Sequence, residues 1–161
     1  MNSNKGFTII EMVVAVGVFA VVMTVSLAAF LNVSDIQKRA EALRVINDNL
    51  NFSLETMMRE IRAGNTYGAG GTSFDFTDID GNQIFYRLNA GRIEKKVGSG
   101  SYLALTAPEV NITKLLFISR GELAGDGLQP RVTIVITGSA GEKTVIKLNL
   151  QTTISQRKID S

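Results

Sequence analysis

The distribution of hydrophobic residues divides the chain into three stretches. Between Met12 and Ser34 no side chain is ionisable, and Val, Ala, Leu, Phe and Met dominate. From Asp35 to Ala63 apolar residues recur at steps of three or four, which is the pattern of one face of an amphipathic helix. After Gly64 the pattern changes to short alternating runs separated by turn residues, which predicts β-strands.

The first two stretches predict one continuous helix from about Thr8 to Ala63, and Gly64 supplies its stop. The stripe on its second half comprises Ile36, Ala40, Leu43, Ile46, Leu50, Leu54, Met57 and Ile61. At ~1.5 Å rise per residue, the stretch from Met12 to Ser34 extends roughly 34 Å, which suits a bilayer core of about 30 Å. We therefore expect a membrane-spanning first half and an amphipathic second half.

The C-terminal part predicts an antiparallel sheet of five to seven strands within residues 72–155. The expected strands are Ser73–Thr77, Gln83–Leu88, Arg92–Val97, Tyr102–Leu105, Val110–Ser119, Arg131–Thr137 and Lys143–Ser155. Apolar residues alternate along most of them, so the sheet has one apolar face that the stripe on the helix can cover. The predicted fold class is α+β: a long N-terminal α-helix packed on a C-terminal antiparallel β-sheet.

Composition narrows the chemistry of this 161-residue chain. It contains no Cys and no His, so it has no disulfide or zinc–thiolate site and lacks the two commonest side chains for acid–base and nucleophilic work. The net charge is +2 without a basic block, so a nucleic-acid partner is not expected. We predict no enzymatic activity, no cofactor and no metal site.

Two loop motifs have competing interpretations. The segment Gly138–Thr144 resembles a phosphate-binding loop, but Glu142 interrupts the Gly-Lys-Thr sequence and the segment lies between two expected strands, so a hairpin turn is predicted. Asp78 and Asp80 have the spacing of a calcium loop, although neighbouring positions lack oxygen ligands. A hairpin with an Asp-Gly turn is predicted there, and calcium is the alternative.

Two charges flank the start of the apolar stretch. Glu11 stands at its edge, where an unpaired carboxylate in hydrocarbon is costly. Lys5 on the short N-terminal side favours a cytoplasmic N-terminus, with everything after the span outside. The alternative is a secretory signal peptide, whose apolar core of about 7–15 residues is shorter than the apolar stretch of this chain.

The order Gly6-Phe7-Thr8-Ile9-Ile10-Glu11, followed by Met12-Val13-Val14-Ala15, closely resembles the class III signal of type IV pilins and pseudopilins. The resemblance covers about Lys5 to Phe30. It implies that residues 1–6 are a charged leader, with Lys5 as its charge. It also implies that a prepilin peptidase/methyltransferase cuts between Gly6 and Phe7 and methylates the new amine of Phe7. Glu11 then corresponds to the glutamate that serves assembly by pairing with the N-terminal amine of a neighbouring subunit.

This resemblance implies a structural subunit of a type IV pilus or a type II secretion pseudopilus, held first in inner-membrane lipid and then assembled with other subunits. Residues 7–34 are the transmembrane and assembly half of the helix, and residues 35–161 are a pilin-like head that includes the helix segment 35–63. The absence of Cys, the lack of any proline before Pro108 and the segment Leu54–Ala63, which resembles the helix end of J-type minor pseudopilins, favour a minor subunit. A competence-pilus role stays open.

Two other function classes compete with this interpretation. One is a membrane-anchored extracytoplasmic binding module that does not polymerise. The other is a membrane-anchored hydrolase, which the missing His and Cys disfavour.

Overall fold

The computed structural model describes residues 6–121, 129–141 and 145–156. Helix α1 runs from Ile9 to Ala63, which confirms the predicted helix. It ends where Gly64 was expected to stop it: the Gly64 N–H donates to the Glu60 carbonyl at 2.9 Å. A side chain at Gly64 would collide with the ring of Phe76, so the close approach of helix end and strand requires glycine.

Eight strands follow the helix in the described residues. They are β1 Gly70–Gly71, β2 Ser73–Thr77, β3 Gln83–Asn89, β4 Arg92–Val97, β5 Leu103–Ala104, β6 Val110–Arg120, β7 Arg131–Ala140 and β8 Ile146–Ser155. They form two four-stranded sheets, and every pairing is antiparallel. The first sheet has the order β2-β3-β4-β5, and the second has the order β1-β6-β7-β8.

The α+β class is confirmed, but the strands divide between two sheets instead of the single sheet expected. β5 pairs with β4 through only Leu103 and Ala104, and β6 then pairs with β7 and β1 instead of continuing the first sheet. Pro108 lies between β5 and β6 and has no N–H to donate to a ladder. Strand β1 was not predicted, because its two glycines offer no apolar alternation.

One buried cluster joins the helix and both sheets. The rings of Phe74 in the first sheet and Phe117 in the second stack with their centroids 5.1 Å apart. The buried helix residues of the predicted stripe are Ile46, Leu50, Leu54, Met57 and Ile61. Each apolar side chain buried in this way contributes about 1.5–3 kcal/mol, so the contact between this face of the helix and the sheets is a major source of the stability of residues 41–161.

The first part of the stripe is not covered, and the expectation that the whole stripe packs on the sheet was wrong there. Ile36 is 65% exposed and Leu43 is 47% exposed, and Ala40 is exposed as well. Burial of the stripe begins at Ile46. Just before it, Ala42 and Val45 line an open groove beside the start of β6 and the end of β7, so the strands do not cover the helix there.

The chain separates into two compact units, residues 1–40 and residues 41–161. In the first unit, an 18-residue window of the helix has a mean hydropathy of 2.6, and none of it is buried. This part of the helix is long and apolar enough to cross a membrane. The predicted boundaries after residues 6 and 34 depend on processing and on the membrane, and they remain predictions.

Polar contacts fix the second half of the helix to the first sheet. The Glu60 carboxylate accepts hydrogen bonds from the Tyr86 hydroxyl and the Lys95 ammonium group, each at 2.6 Å. Burial, together with the bond to Glu60, raises the pKa of Tyr86 far above its ordinary value. The helix end is closed by Tyr67, whose hydroxyl lies 2.6 Å from the Ile61 carbonyl.

Candidate functional site

The N-terminal end of α1 is built around a capping threonine. The Thr8 hydroxyl oxygen accepts a hydrogen bond from the Glu11 N–H at 3.3 Å, and the Thr8 carbonyl accepts one from the Met12 N–H at 3.2 Å. A Thr followed three residues later by Glu is the capping-box sequence, in which both side chains satisfy free N–H groups of the first turn. The capping box is visible in the sequence as Thr8 and Glu11, but it was not predicted.

Gly6 and Phe7 precede the helix in exposed, non-helical backbone. Phe7 is 80% exposed. A Cβ built on Gly6 meets no atom within 4 Å among the described residues, so packing within the chain does not explain the glycine. The residues on both sides of this peptide bond are therefore exposed and outside the helix.

Glu11 lies in the first turn of the helix. A carboxylate there is favoured by the partial positive charge of the helix N-terminus. Among the residues that the structure describes, no cation pairs with it. The carboxylate is thus free to meet a positive group from outside the chain.

The helix that follows presents apolar side chains on all sides. Its two hydroxyl side chains near the middle bond back to the helix: Thr24 donates to the Ala20 carbonyl and Ser26 to the Val22 carbonyl, each at 2.8 Å. Inside a bilayer every polar group needs such an internal partner. The two hydroxyl groups are therefore satisfied within the helix.

Of the predicted site residues, all but Lys5 lie close together at this end of the helix. Phe7 and Glu11 flank the capping Thr8, and Gly6 comes directly before them. Lys5 lies outside the described residues, so its predicted role remains a prediction.

The two alternative loop sites of the head do not assemble a site in the described residues. The Asp78 carboxylate accepts bonds from the N–H groups of Asp80 and Asn82 at 2.9 and 2.8 Å, which is a turn of the β2–β3 hairpin. Desolvation acts to raise the pKa of Asp78, but these bonds and that of the Asn82 amide outweigh it and lower the pKa. Within the described ranges no three His, Cys, Asp or Glu residues cluster as metal ligands.

In the phosphate-loop candidate, Gly138, Ser139 and Ala140 belong to β7 and pair with β8. The β7–β8 hairpin is confirmed, but β7 extends through Ala140, so the first three residues of the predicted turn belong to the strand. Residues 142–144 of that segment lie outside the described part of the chain.

Comparison with known proteins gives one match. Residues 1–27 match the family model described as the prokaryotic N-terminal methylation motif. No curated protein and no solved structure matches the chain. The matched residues contain the Gly6–Phe7 junction, the capped helix start and most of the apolar segment, and the match confirms the signal that the sequence predicted at this end.

Proposed function

We propose that this chain is a structural subunit of a type IV pilus or type II secretion pseudopilus. The premise is that residues 1–27 carry the N-terminal methylation signal of type IV pilins and pseudopilins. The single observation that carries the proposal is the order of features at the N-terminus. A glycine–aromatic junction leads into an exposed apolar helix whose first turn is capped and carries a carboxylate without a cation partner among the described residues.

Processing is the first step of the proposal. A prepilin peptidase/methyltransferase cuts between Gly6 and Phe7 on the cytoplasmic side and methylates the amine of Phe7. The exposed, non-helical backbone at this bond supports cleavage without prior unfolding. The cap that Thr8 provides lies after the cut, so the mature helix keeps its start.

The new amine then needs a partner. A methylated amine is still a cation, and it lies at a helix N-terminus, where the macrodipole disfavours positive charge. An unpaired charge in hydrocarbon costs about 2.5–3.5 kcal/mol or more. The Glu11 carboxylate of a neighbouring subunit pairs with this amine and so removes both the helix-dipole cost and the cost of an unpaired charge. The pair forms only when the two helices are in one register.

In this proposal the chain crosses the inner membrane once, with its N-terminus in the cytoplasm and its head outside. The apolar surface of the first unit contacts lipid before assembly and other subunits afterwards. The helix has no proline between Ile9 and Ala63 and the chain has no Cys, which supports a minor subunit over a major one. The filament system is either a pilus, including a competence pilus, or a secretion pseudopilus.

The test separates the charge of Glu11 from its place in the capping box. Glu11→Gln removes the charge and keeps a side-chain oxygen acceptor in the position that a capping box uses, and Glu11→Ala removes the charge and the acceptor. We expect both variants to insert and to be cleaved normally, because insertion depends on the apolar helix. Both should reduce incorporation into filaments more than a hundredfold, since stranding one member of a buried ion pair costs roughly 3–5 kcal/mol.

Thr8→Ala is the matched control, because it removes the cap and leaves the charge. Membrane fractionation gives insertion, and counts of surface filaments or of secreted substrate give assembly. Normal assembly of Glu11→Gln beside failure of Glu11→Ala would contradict the charge-pair role. Normal assembly of both at normal protein levels would favour the anchored binding module instead.

A further inference from the structure

The head carries an open groove of about 600 Å³ that the proposed function does not use. One wall is the helix at Ala42 and Val45, and the other is formed by the ends of the second-sheet strands with Pro108. Val145, which lines it, is 58% exposed. The groove therefore presents some apolar surface to solvent.

Two carboxylates line the same groove. Glu41 comes from the helix and Glu109 from the segment before β6, and both are exposed. The ion pairs of the described residues are Arg44–Asp48, Arg87–Glu94 and Glu60–Lys95, so neither groove carboxylate has a cation partner within the described part of the chain. The groove combines an apolar lining with unneutralised negative charge.

A segment of the helix presents an apolar side chain together with positive charges, so its charge is opposite to that of the groove. Residues Ile36–Arg39 are helical and exposed, and they include the uncovered start of the apolar stripe. Lys38 and Arg39 form no ion pair with any described residue. Because Ile36 and Arg39 are three positions apart on a helix, their side chains lie on one side of it. An apolar side chain and a cation are thus presented together.

We propose that the groove of one copy of this chain receives the segment Ile36–Arg39 of a second copy. Ile36 enters between Val45 and Val145, and the cations of the segment lie beside Glu41 and Glu109. The occupant is inferred from charge complementarity and from the apolar residue that accompanies the cations. The inference rests on the proposed function, which makes this chain a filament subunit, and it requires at least two copies of the chain in one filament.

The symmetry of this contact agrees with a filament. The segment and the groove are different surfaces, so the contact is heterologous, and a heterologous contact that does not close on itself generates an open helical array. Exposed ion pairs add little affinity, so the charges fix orientation and partner choice while burial of Ile36 provides attraction.

The test uses the absence of cysteine from the chain. One full-length copy carries Arg39→Cys and one tag, and a second copy carries Glu109→Cys and another tag. Each copy has one thiol, so a disulfide can form only between copies, and it requires Cα atoms within about 7 Å. After mild oxidation in membranes we expect a covalent dimer that carries both tags.

The matched control replaces Glu109→Cys by Ser101→Cys, another exposed position of the head that does not line the groove. The control should give at least about tenfold less dimer, because its thiol is not held near the partner thiol. Equal yields from the two positions would overturn the proposal. So would recovery of Glu109→Cys only in adducts with other proteins.

Charge reversal gives a second arm, read as co-purification of the two tags from membranes, with Ile36 and Val145 kept in both copies. Glu41→Lys together with Glu109→Lys in the groove copy should lower the dimer about tenfold, because two attractions become repulsions. Lys38→Glu with Arg39→Glu in the segment copy should restore it. Failure of this restoration would overturn the pairing.

Leader cleavage and filament counts are followed in the same strains. Normal cleavage and filaments without the tagged dimer would refute the groove contact and leave the proposed function standing. Loss of cleavage in the parent chain would refute both.

Discussion

At the scale of single residues, Ser53 is a buried position where the native side chain costs stability. It is fully buried on the helix, and its hydroxyl has no hydrogen-bond partner among the described residues. Leaving such a group unpaired costs about 1–3 kcal/mol, and alanine is also the better helix former. We expect Ser53→Ala to raise the free energy of unfolding of the head by about 1 kcal/mol in urea titration.

The matched control for this prediction is Thr106→Val. Thr106 is also buried, but its hydroxyl oxygen accepts a bond from the Ile93 N–H at 3.2 Å. Removing that acceptor leaves a buried N–H unpaired and should lower the free energy of unfolding by about 1–3 kcal/mol. A loss of similar size in Ser53→Ala would show that its hydroxyl has a partner after all.

Sequence reasoning found some residues of the site and missed others for a physical reason. Gly6, Phe7 and Glu11 are consecutive or nearly so, and a local pattern reveals them. Thr8 was visible in the same way and was overlooked. Glu41 and Glu109 are far apart in sequence and line one groove only in the folded chain, so no local pattern predicts the groove.

At the scale of elements, the end of α1 depends on the half-buried phenol of Tyr67. Burial raises the pKa of Tyr67 to about 12, and its hydroxyl lies against the Ile61 and Gly64 carbonyls. An unfolded tyrosine has a pKa of about 10. The folded state therefore holds this proton more tightly, so the contribution is complete below pH 10 and is lost as pH rises from 10 towards 12.

We expect the midpoint of urea unfolding of the head to fall steeply above pH 10. Tyr86 acts in the same direction, since its pKa is also raised. Tyr67→Phe should be less stable at pH 7, because the helix end loses its hydrogen bond, and it should show a shallower decline above pH 10. Parallel declines in the two proteins would contradict the account of this contact.

The alternation of apolar and polar residues predicted where the strands lie, but it did not predict which strands pair. β2 and β4 have the bounds that the sequence predicted, because their apolar residues alternate between two turns. The division into two sheets depends on β6 pairing with β1 and β7 instead of β5. That choice is made by contacts between distant segments, which a local pattern does not contain.

At the scale of the whole molecule, the fragment of residues 35–161 should fold on its own. Its core draws on the helix from Ile46 onward and on both sheets, with no disulfide. We expect cooperative unfolding without added metal. Removal of residues 35–40 should leave stability unchanged, because Ile36 and Ala40 are exposed, while a start at Asn51 should prevent folding by removing Ile46 and Leu50.

Circular dichroism with urea titration measures all three fragments. A molten product from residues 35–161 that calcium converts to a cooperative fold would contradict this prediction and support the calcium alternative at Asp78 and Asp80. A large loss of stability on removing residues 35–40 would show that the uncovered part of the stripe is packed in solution.

The central claim, a filament subunit processed at its N-terminus, is tested most directly by the intact mass of the chain purified from membranes of a host that contains the peptidase. The account predicts a mature chain that begins at Phe7 and carries one methyl group on its amine. The same measurement in a host without the peptidase should give the chain with residues 1–6 attached. A mature chain that begins near Ala29, as ordinary signal peptidase would leave it, would contradict the account.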